Sequence, residues 1–391
     1  MNKKIVIYYE QYGYGGVDTH MAELINSWPN KKNQFIVVTN PGNQGLKFLT
    51  KKIKNKNFKI IILKKTFLKK NKNQIINLAK YIFTLGLFFF EFSYLIKKIK
   101  PDVLLSNNGG YPGGLTCFFA NLIFYKKFSK KGNFLLIHHA PHKAFWVYKT
   151  IADFLSSLIN RLSIGIITVS KASKKEIENH SPLKNIKIIY NGIENKRFII
   201  PKNRKKNKKK IVLGMSGPID DHKGHNFIID VFSSLQKKSN KNIVLNIVGG
   251  GQKNYINFLK KKVIQKKLSK KIFFYGLFKK KINLFLNNID IYLMPTQTFE
   301  GFGYSMAEAM QNGLPVVASK VGAISEIVKN NKNGFVIIKN NYSQWTKIIL
   351  DLSNNYKKRI RIGLAANLTI SKKFNSLTMS NKYYNLFKNY L

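Results

Sequence analysis

The chain has 391 residues, 44% of them apolar, and a formal net charge of +51. That length exceeds one ordinary core and suits two domains, while the single cysteine, Cys117, excludes an internal disulfide and a cysteine-built zinc site and points to a reducing, cytoplasmic compartment. Of the 68 basic residues only five are arginine, and bidentate reading of bases or phosphates favours arginine, so specific nucleic-acid recognition is not expected.

The N-terminus MNKKIVIYYEQYG is basic, but its apolar run Ile5–Tyr9 is too short for a signal peptide and reads as the first strand of a sheet. After it, Tyr12-Gly13-Tyr14-Gly15-Gly16-Val17-Asp18 opens a helix; the glycines could let backbone approach a phosphate, or simply serve a tight turn needing positive φ. Further strands are expected at Gln34–Thr39, Phe58–Leu63, Asp102–Ser106, Asn133–His138 and Gly165–Val169, with helices between them, as a parallel sheet requires. The lysine-dense stretch Lys51–Lys72 carries Phe58 and Phe67; it is either a strand with solvated flanks or a cationic surface suited to anionic lipid. Tyr81–Ile96, a second membrane-facing candidate, is almost wholly apolar but for Glu91 and too short to span a membrane comfortably; apolar all round, it reads as a buried helix rather than an interfacial one. In LLIHHAPH the histidines His138, His139 and His142 cluster after a strand, but without the helical spacing of a zinc site, so no metal is expected.

The run Phe198–Lys210 is charged and aperiodic and reads as a linker between a first domain, residues 1–197, and a second, residues 211–370, followed by a helical tail, 371–391. The second domain repeats the scheme, with strands expected at Ile211–Ser216, Asn242–Val248, Ile272–Tyr275, Ile289–Met294, Pro315–Ala318 and Gly334–Ile337. Lys223 follows its first strand and could neutralise a diphosphate as a mobile point charge, or be one more surface lysine among many. The most informative stretch is FEGFGYSMAEAMQNGLPVVAS. Glu300 precedes the turn Gly301-Phe302-Gly303; Tyr304 and Glu308 lie in the helix that follows. A glycine turn opening a helix offers free N–H groups and a positive dipole end to an anion, and the two carboxylates can accept hydrogen bonds from hydroxyls on either side of it. Diphosphate between polyols describes a nucleotide-sugar. The competing reading makes Ser305 and Glu308 a capping box.

Glu300–Ser319 resembles the C-terminal signature of the family-4 retaining glycosyltransferases, which have the GT-B fold. Gly16-Val17-Asp18-Thr19-His20 resembles that family's N-terminal motif, with Asp18 in place of glutamate. Lys223-Gly224 matches its phosphate-binding pair, with Pro218 where the family has arginine. Tyr190–Glu194, Asn246–Gly251 and Ala323–Val328 extend the likeness. The resemblance implies an α/β architecture of two doubly wound, Rossmann-like domains facing across a cleft. It implies that Glu300 contacts the donor sugar, that Glu308 holds the ribose hydroxyls, and that the amides of Gly301–Tyr304 meet the sugar and phosphates. Gly15 and Gly16 would contact donor or acceptor, and His138 would lie near the donor sugar and acceptor, with His139 as the alternative because a one-residue slip reverses the facing side chain.

The function expected is retaining transfer from a UDP- or GDP-sugar to a hydroxyl of a glycan or lipid-linked acceptor, in cell-surface polysaccharide synthesis, without a metal or other cofactor. The protein would be cytoplasmic and could sit on an anionic membrane surface. A nucleotide-sugar epimerase or phosphorylase on the same fold is the rival enzyme, and a non-catalytic protein binding polyanions or membranes through its lysines is the rival outside enzymes.

Overall fold

A computed structural model describes residues 2–64, 74–139, 146–195, 210–277 and 282–391. These form two compact units, one of Met1–Glu194 together with Ser376–Leu391, the other of Asn195–Asn375.

In the first unit β1 (Lys4–Tyr9), α1 (Gly16–Asn26), β2 (Gln34–Thr39), α2 (Leu46–Lys52), β3 (Phe58–Ile62), α3 (Gln74–Ile99), β4 (Val103–Asn108), α4 (Leu115–Phe128), β5 (Asn133–Ile137), α5 (Trp146–Leu162), β6 (Gly165–Thr168), α6 (Lys171–His180) and β7 (Ile186–Ile188) follow in order. The strands make one sheet in the order β3-β2-β1-β4-β5-β6-β7, every pairing parallel. Crossover helices cover both faces, which is why the inner strands read as unbroken apolar runs rather than alternating ones. Along β1, Val6 and Tyr8 pack toward α3, α4 and α5, whereas Ile5, Ile7 and Tyr9 pack toward α1. The three-residue β7 was not legible in the sequence, being too short to show a period.

The second unit holds β8 (Lys210–Ser216), a 3₁₀ turn at Asp221–Lys223, α7 (His225–Lys238), β9 (Asn242–Val248), α8 (Lys253–Gln265), β10 (Ile272–Phe274), α9 (Ile282–Leu286), β11 (Ile291–Met294), α10 (Tyr304–Gln311), β12 (Val316–Ser319), α11 (Ile324–Ile327), β13 (Phe335–Ile337), α12 (Tyr342–Asn354) and α13 (Tyr356–Lys373). Its sheet runs β10-β9-β8-β11-β12-β13, again all parallel. Both sheets reverse strand order beside their first strand, the switch point where open α/β sheets bind ligands beyond the strand C-termini.

Two expectations meet a different structure. The tail does not stand apart: α14 (Ser376–Phe387) belongs to the first unit, where Met379, Tyr383 and Phe387 join the core beneath α1. The helix read at Tyr81–Ile96 is not buried on every side. Leu85, Phe88, Phe92 and Ile96 of α3 face the sheet, but Phe83, Phe90 and Tyr94 are 61%, 74% and 71% exposed. A sheet covers only one side of a crossover helix, and apolar composition by itself does not say whether something covers the other. The expected linker lies outside the described residues except at Lys210, as do His142 and the part of the lysine-dense stretch from Lys65 to Lys72.

Candidate active site

In the second unit the loops after β8 and β11 bring Lys223 and Glu300 together. Lys223 Nζ donates to Glu300 Oε2 at 2.8 Å, with the two side chains 33% and 17% exposed. The turn carrying Lys223 is held from both ends. Asp220 Oδ1 accepts the Lys223 N–H at 2.9 Å, and Gln297 N–H donates to the His222 carbonyl at 2.7 Å. Gly224, at φ +74°, lies so close to the Pro295 carbonyl that a Cβ would overlap it. Burial by itself would lower the Lys223 pKa, but the charge and hydrogen bond of Glu300, with Asp220 behind them, raise it, so the lysine is a fixed cation.

Glu300 is fixed through its backbone. The Ala323 N–H donates to the Glu300 carbonyl at 2.8 Å, and Gly322 sits directly against the Glu300 backbone. Three residues on, Gly303 at φ +85° caps α10, whose first N–H groups have no partner within the helix. The capping-box reading fails because the helix starts at Tyr304. Ser305 is then its second residue, and its hydroxyl bonds to the buried Tyr292, which also holds Ser216 at the end of β8. Glu308 projects from the middle of α10 and is half-buried. Phe302 turns inward against Tyr304 and Phe374, so only its backbone is free to meet a ligand. Second-unit chemistry thus amounts to one fixed cation, a helix N-terminus and two carboxylates at the strand C-termini.

In the first unit Gly13, Gly15 and Gly16 all avoid the left-handed region, so the loop after β1 is not the tight turn that would need them. A Cβ on Gly13 would meet nothing within 4 Å, and one on Gly15 only Gln11 Nε2 at 3.9 Å, so there is open space beside the loop. The Gly15 N–H points inward, donating to Asp18 Oδ2 at 2.9 Å, and Tyr9 O–H donates to Asp18 Oδ1 at 3.2 Å. Asp18 is buried, which raises its pKa against the pull of those bonds. It organises the loop and does not face a ligand.

His138 and His139 lie on opposite sides of the chain after β5. His138 is 8% exposed, donates from Nε2 to Asn107 Oδ1 at 2.9 Å, and stacks edge-on against His20 with ring centroids 5.3 Å apart. Burial lowers its pKa well below the ordinary value, helped by its neighbours His20 and His139, so the ring is neutral. His139 is half-buried, its ring against Gly110. Three residues were missed in the sequence. Glu10, at the end of β1, accepts from Thr116 Oγ1 at 2.6 Å and Tyr12 O–H at 2.8 Å, and burial raises its pKa. Asn107 orients His138. His20, noted only as part of a motif, is fully buried, neither ring nitrogen having a protein partner among the described residues, and burial pushes it down to about 3. A carboxylate directly after an apolar strand was the one available signal for Glu10. Among the described residues no group of His, Cys, Asp and Glu could hold a metal ion.

Two family models match end to end, Glycosyltransferase Family 4 over residues 14–197 and Glycosyl transferases group 1 over residues 196–368. The chain is 25% identical over 314 residues to a poly(ribitol-phosphate) alpha-N-acetylglucosaminyltransferase of Staphylococcus aureus, covering 80% of this chain and 60% of that protein. It is 28% identical over 319 residues to an uncharacterized glycosyltransferase of Methanocaldococcus jannaschii, covering 77% and 78%. Its fold matches an Anabaena protein solved with UDP and glucose, with a TM-score of 0.75 at 18% identity over 99% of this chain and 100% of that one. The parallel sheets, the Glu300–Glu308 stretch and both family matches agree: this chain belongs to the GT-B glycosyltransferases, Family 4 in its first half and group 1 in its second.

Proposed function

We propose that the protein transfers a sugar, with retention of anomeric configuration, from a UDP- or GDP-sugar to a hydroxyl of a glycan or lipid-linked acceptor. The observation that carries this reading is the Lys223–Glu300 pair, held three residues before the N-terminus of a helix that also bears Glu308. A diphosphate placed at that N-terminus would meet the first-turn amides, the positive end of the helix dipole and the Lys223 cation where charge develops as the leaving group departs. Glu300 would then accept from sugar hydroxyls and Glu308 from the ribose. With Pro218 where an arginine is usual, Lys223 would carry the side-chain neutralisation of the diphosphate.

In the step we assign, the bond from the anomeric carbon to the diphosphate oxygen breaks, and the acceptor oxygen bonds to that carbon on the same face. The acceptor proton passes to the departing phosphate oxygen, and a nucleoside diphosphate leaves. This needs no protein nucleophile. On this reading the loop at Gly15 and Gly16 and the histidine pair contact acceptor or sugar, with the neutral His138 as a hydrogen-bonding group.

The acceptor reading draws on the relatives, one acting on poly(ribitol phosphate) and another, 25% identical over 248 residues, named for capsular polysaccharide biosynthesis. No described helix is long and apolar enough to cross a membrane. A thermal-shift screen of nucleotide-sugars tests the proposal. A good donor at 100 times its dissociation constant stabilises by about 2.7 kcal/mol. Stabilisation by a UDP- or GDP-sugar, and turnover that persists in EDTA, is the expected result. Failure of every nucleotide-sugar to bind would overturn it, and release of an altered nucleotide-sugar without an acceptor would favour an epimerase.

A further inference from the structure

The outward side of α3 carries an unusual set of side chains for a water-facing surface. Phe83, Phe90 and Tyr94 recur at seven and four residues, which puts them within about 40° of one another on the helix. All three are among the most exposed large apolar side chains of the first unit. The inner side is anchored, with Phe88 and Phe92 both 5.1 Å from the Tyr8 ring, so the stripe sits on a fixed helix. The one acid of α3, Glu91, is turned toward β3, where it accepts the Lys64 N–H at 2.6 Å. The next helices of the layer continue the theme with Tyr125 on α4 and Phe154 on α5, both exposed.

Charge completes the pattern. The sheet is parallel, so its crossover helices run alike and their last turns lie at one end of the layer. There α3 and the residue after it present Lys97, Lys98 and Lys100, while α4 and its following turn present Lys126, Lys127, Lys130 and Lys131. Lys126 Nζ stands 6.0 Å from the Phe89 ring of α3, joining the two lysine groups. Neither α4 nor the outward side of α3 has a carboxylate to offset them. An aromatic band bordered by lysines matches a lipid interface, where rings settle at the headgroup boundary and ammonium groups meet phosphates. A second copy of the chain is the poorer occupant, because it would bring its own +51 charge against the same face.

We propose that the outer face of α3 and α4 docks this protein on an anionic lipid membrane, Phe83, Phe90 and Tyr94 entering the headgroup boundary and the lysines of the two last turns meeting lipid phosphates. This rests, for its purpose, on the reading that the acceptor is carried at a membrane. The full chain is mixed with vesicles of phosphatidylcholine alone and of phosphatidylcholine with phosphatidylglycerol, and the bound fraction is measured by sedimentation. Binding to the anionic vesicles should be strong and should fall steeply with salt. Phe83→Ser, Phe90→Ser and Tyr94→Ser combined should weaken it about tenfold or more, and Lys97→Gln, Lys98→Gln, Lys126→Gln and Lys127→Gln combined by roughly several hundredfold at low salt, at about fivefold per interfacial lysine lost. The same four changes at Lys205, Lys206, Lys208 and Lys209 should weaken it far less. A single Phe90→Trp should shift its emission to the blue on anionic vesicles only.

Unchanged binding by the aromatic triple variant, or equal loss from both lysine sets, would overturn the docking face and leave only diffuse attraction. A wild-type dimer that the triple variant abolishes would assign the face to self-association. Nucleotide-sugar binding is read in parallel. Vesicle docking without any donor binding sinks the proposed activity and spares the membrane face; donor binding without docking does the reverse.

Discussion

Lys223 and Glu300 already satisfy one another, so a diphosphate offered to the lysine competes with a bond of 2.8 Å between groups only partly exposed to water. Sequence placed both residues at strand ends but could not pair them, since 77 positions separate them and their loops meet through the Gln297–His222 hydrogen bond and the packing of Gly224 on Pro295. Glu308 shows how a local pattern misleads. Its spacing from Ser305 spells a helix cap, yet Gly303 begins the helix two residues earlier and Ser305 serves Tyr292. Glu308 therefore does not serve as the N-terminal cap of α10. Glu308→Gln should weaken binding of UDP or GDP by about 1.5–3 kcal/mol, the value of a charged hydrogen bond, with no change in melting temperature. Calorimetry with the nucleoside diphosphate checks this; unaltered affinity would remove Glu308 from the site. The histidines were less legible. Residue order after β5 could not say which ring turns inward, because alternation assigns opposite sides to neighbours, and Asn107 and His20, which decide it, lie in other elements.

Elements hold these residues through close backbone approaches, which glycine alone allows. Gly322, at φ +47°, follows β12 and abuts the amide and carbonyl of Glu300. Gly322→Ala should displace Glu300 and cost about 1–2 kcal/mol for the left-handed backbone alone. Turnover should fall at least tenfold while nucleoside diphosphate affinity, which the proposed site assigns to α10, stays within a few-fold. Loss of both would mean that the turn supports the whole second unit and not Glu300 in particular. In the first unit α1 carries His20 into the core against His138 and Tyr383. Its folded pKa of about 3 lies below the ordinary 6.5, so the unfolded chain binds the extra proton between those values. The contribution is fully present above pH 6.5 and is lost as pH falls toward 3, at roughly 1.4 kcal/mol per pH unit. His138 and His225 have the same sign, whereas Asp18 and Glu10, with raised values, oppose it at the acid end. Comparing denaturant midpoints of the wild type and His20→Phe between pH 7 and 5 isolates the term: the wild type should lose more. Parallel curves would show that His20 does not titrate with unfolding.

Across the whole molecule both sheets are legible in the alternation of apolar runs and helices, because buried parallel strands announce themselves by composition. What composition could not give is where a segment returns. The last helix packs on the first unit, its amide at Ser376 donating to Ile193 at 2.8 Å and Ser380 Oγ to Leu24 at 3.0 Å. Met379, Tyr383 and Phe387 are fully buried there, worth about 1.5–3 kcal/mol each, or together a large share of the 5–15 kcal/mol that a domain has. Ending the chain after Asn375 should therefore unfold the first unit while the second, residues 195–375, keeps the proposed nucleotide site; calorimetric scans should lose one transition and retain any shift caused by the nucleotide. Loss of both transitions would show the second unit to depend on the first. The central claim, retaining transfer built on Glu300 and Lys223, is tested most directly by determining the anomeric configuration of the product by NMR, for the wild type and for Glu300→Ala. With the donor found in the screen, the account predicts a glycoside with the donor's own anomeric configuration, formed by the wild type and reduced by at least a hundredfold in a Glu300→Ala protein of unchanged melting temperature. An inverted product, or full turnover without Glu300, would contradict it.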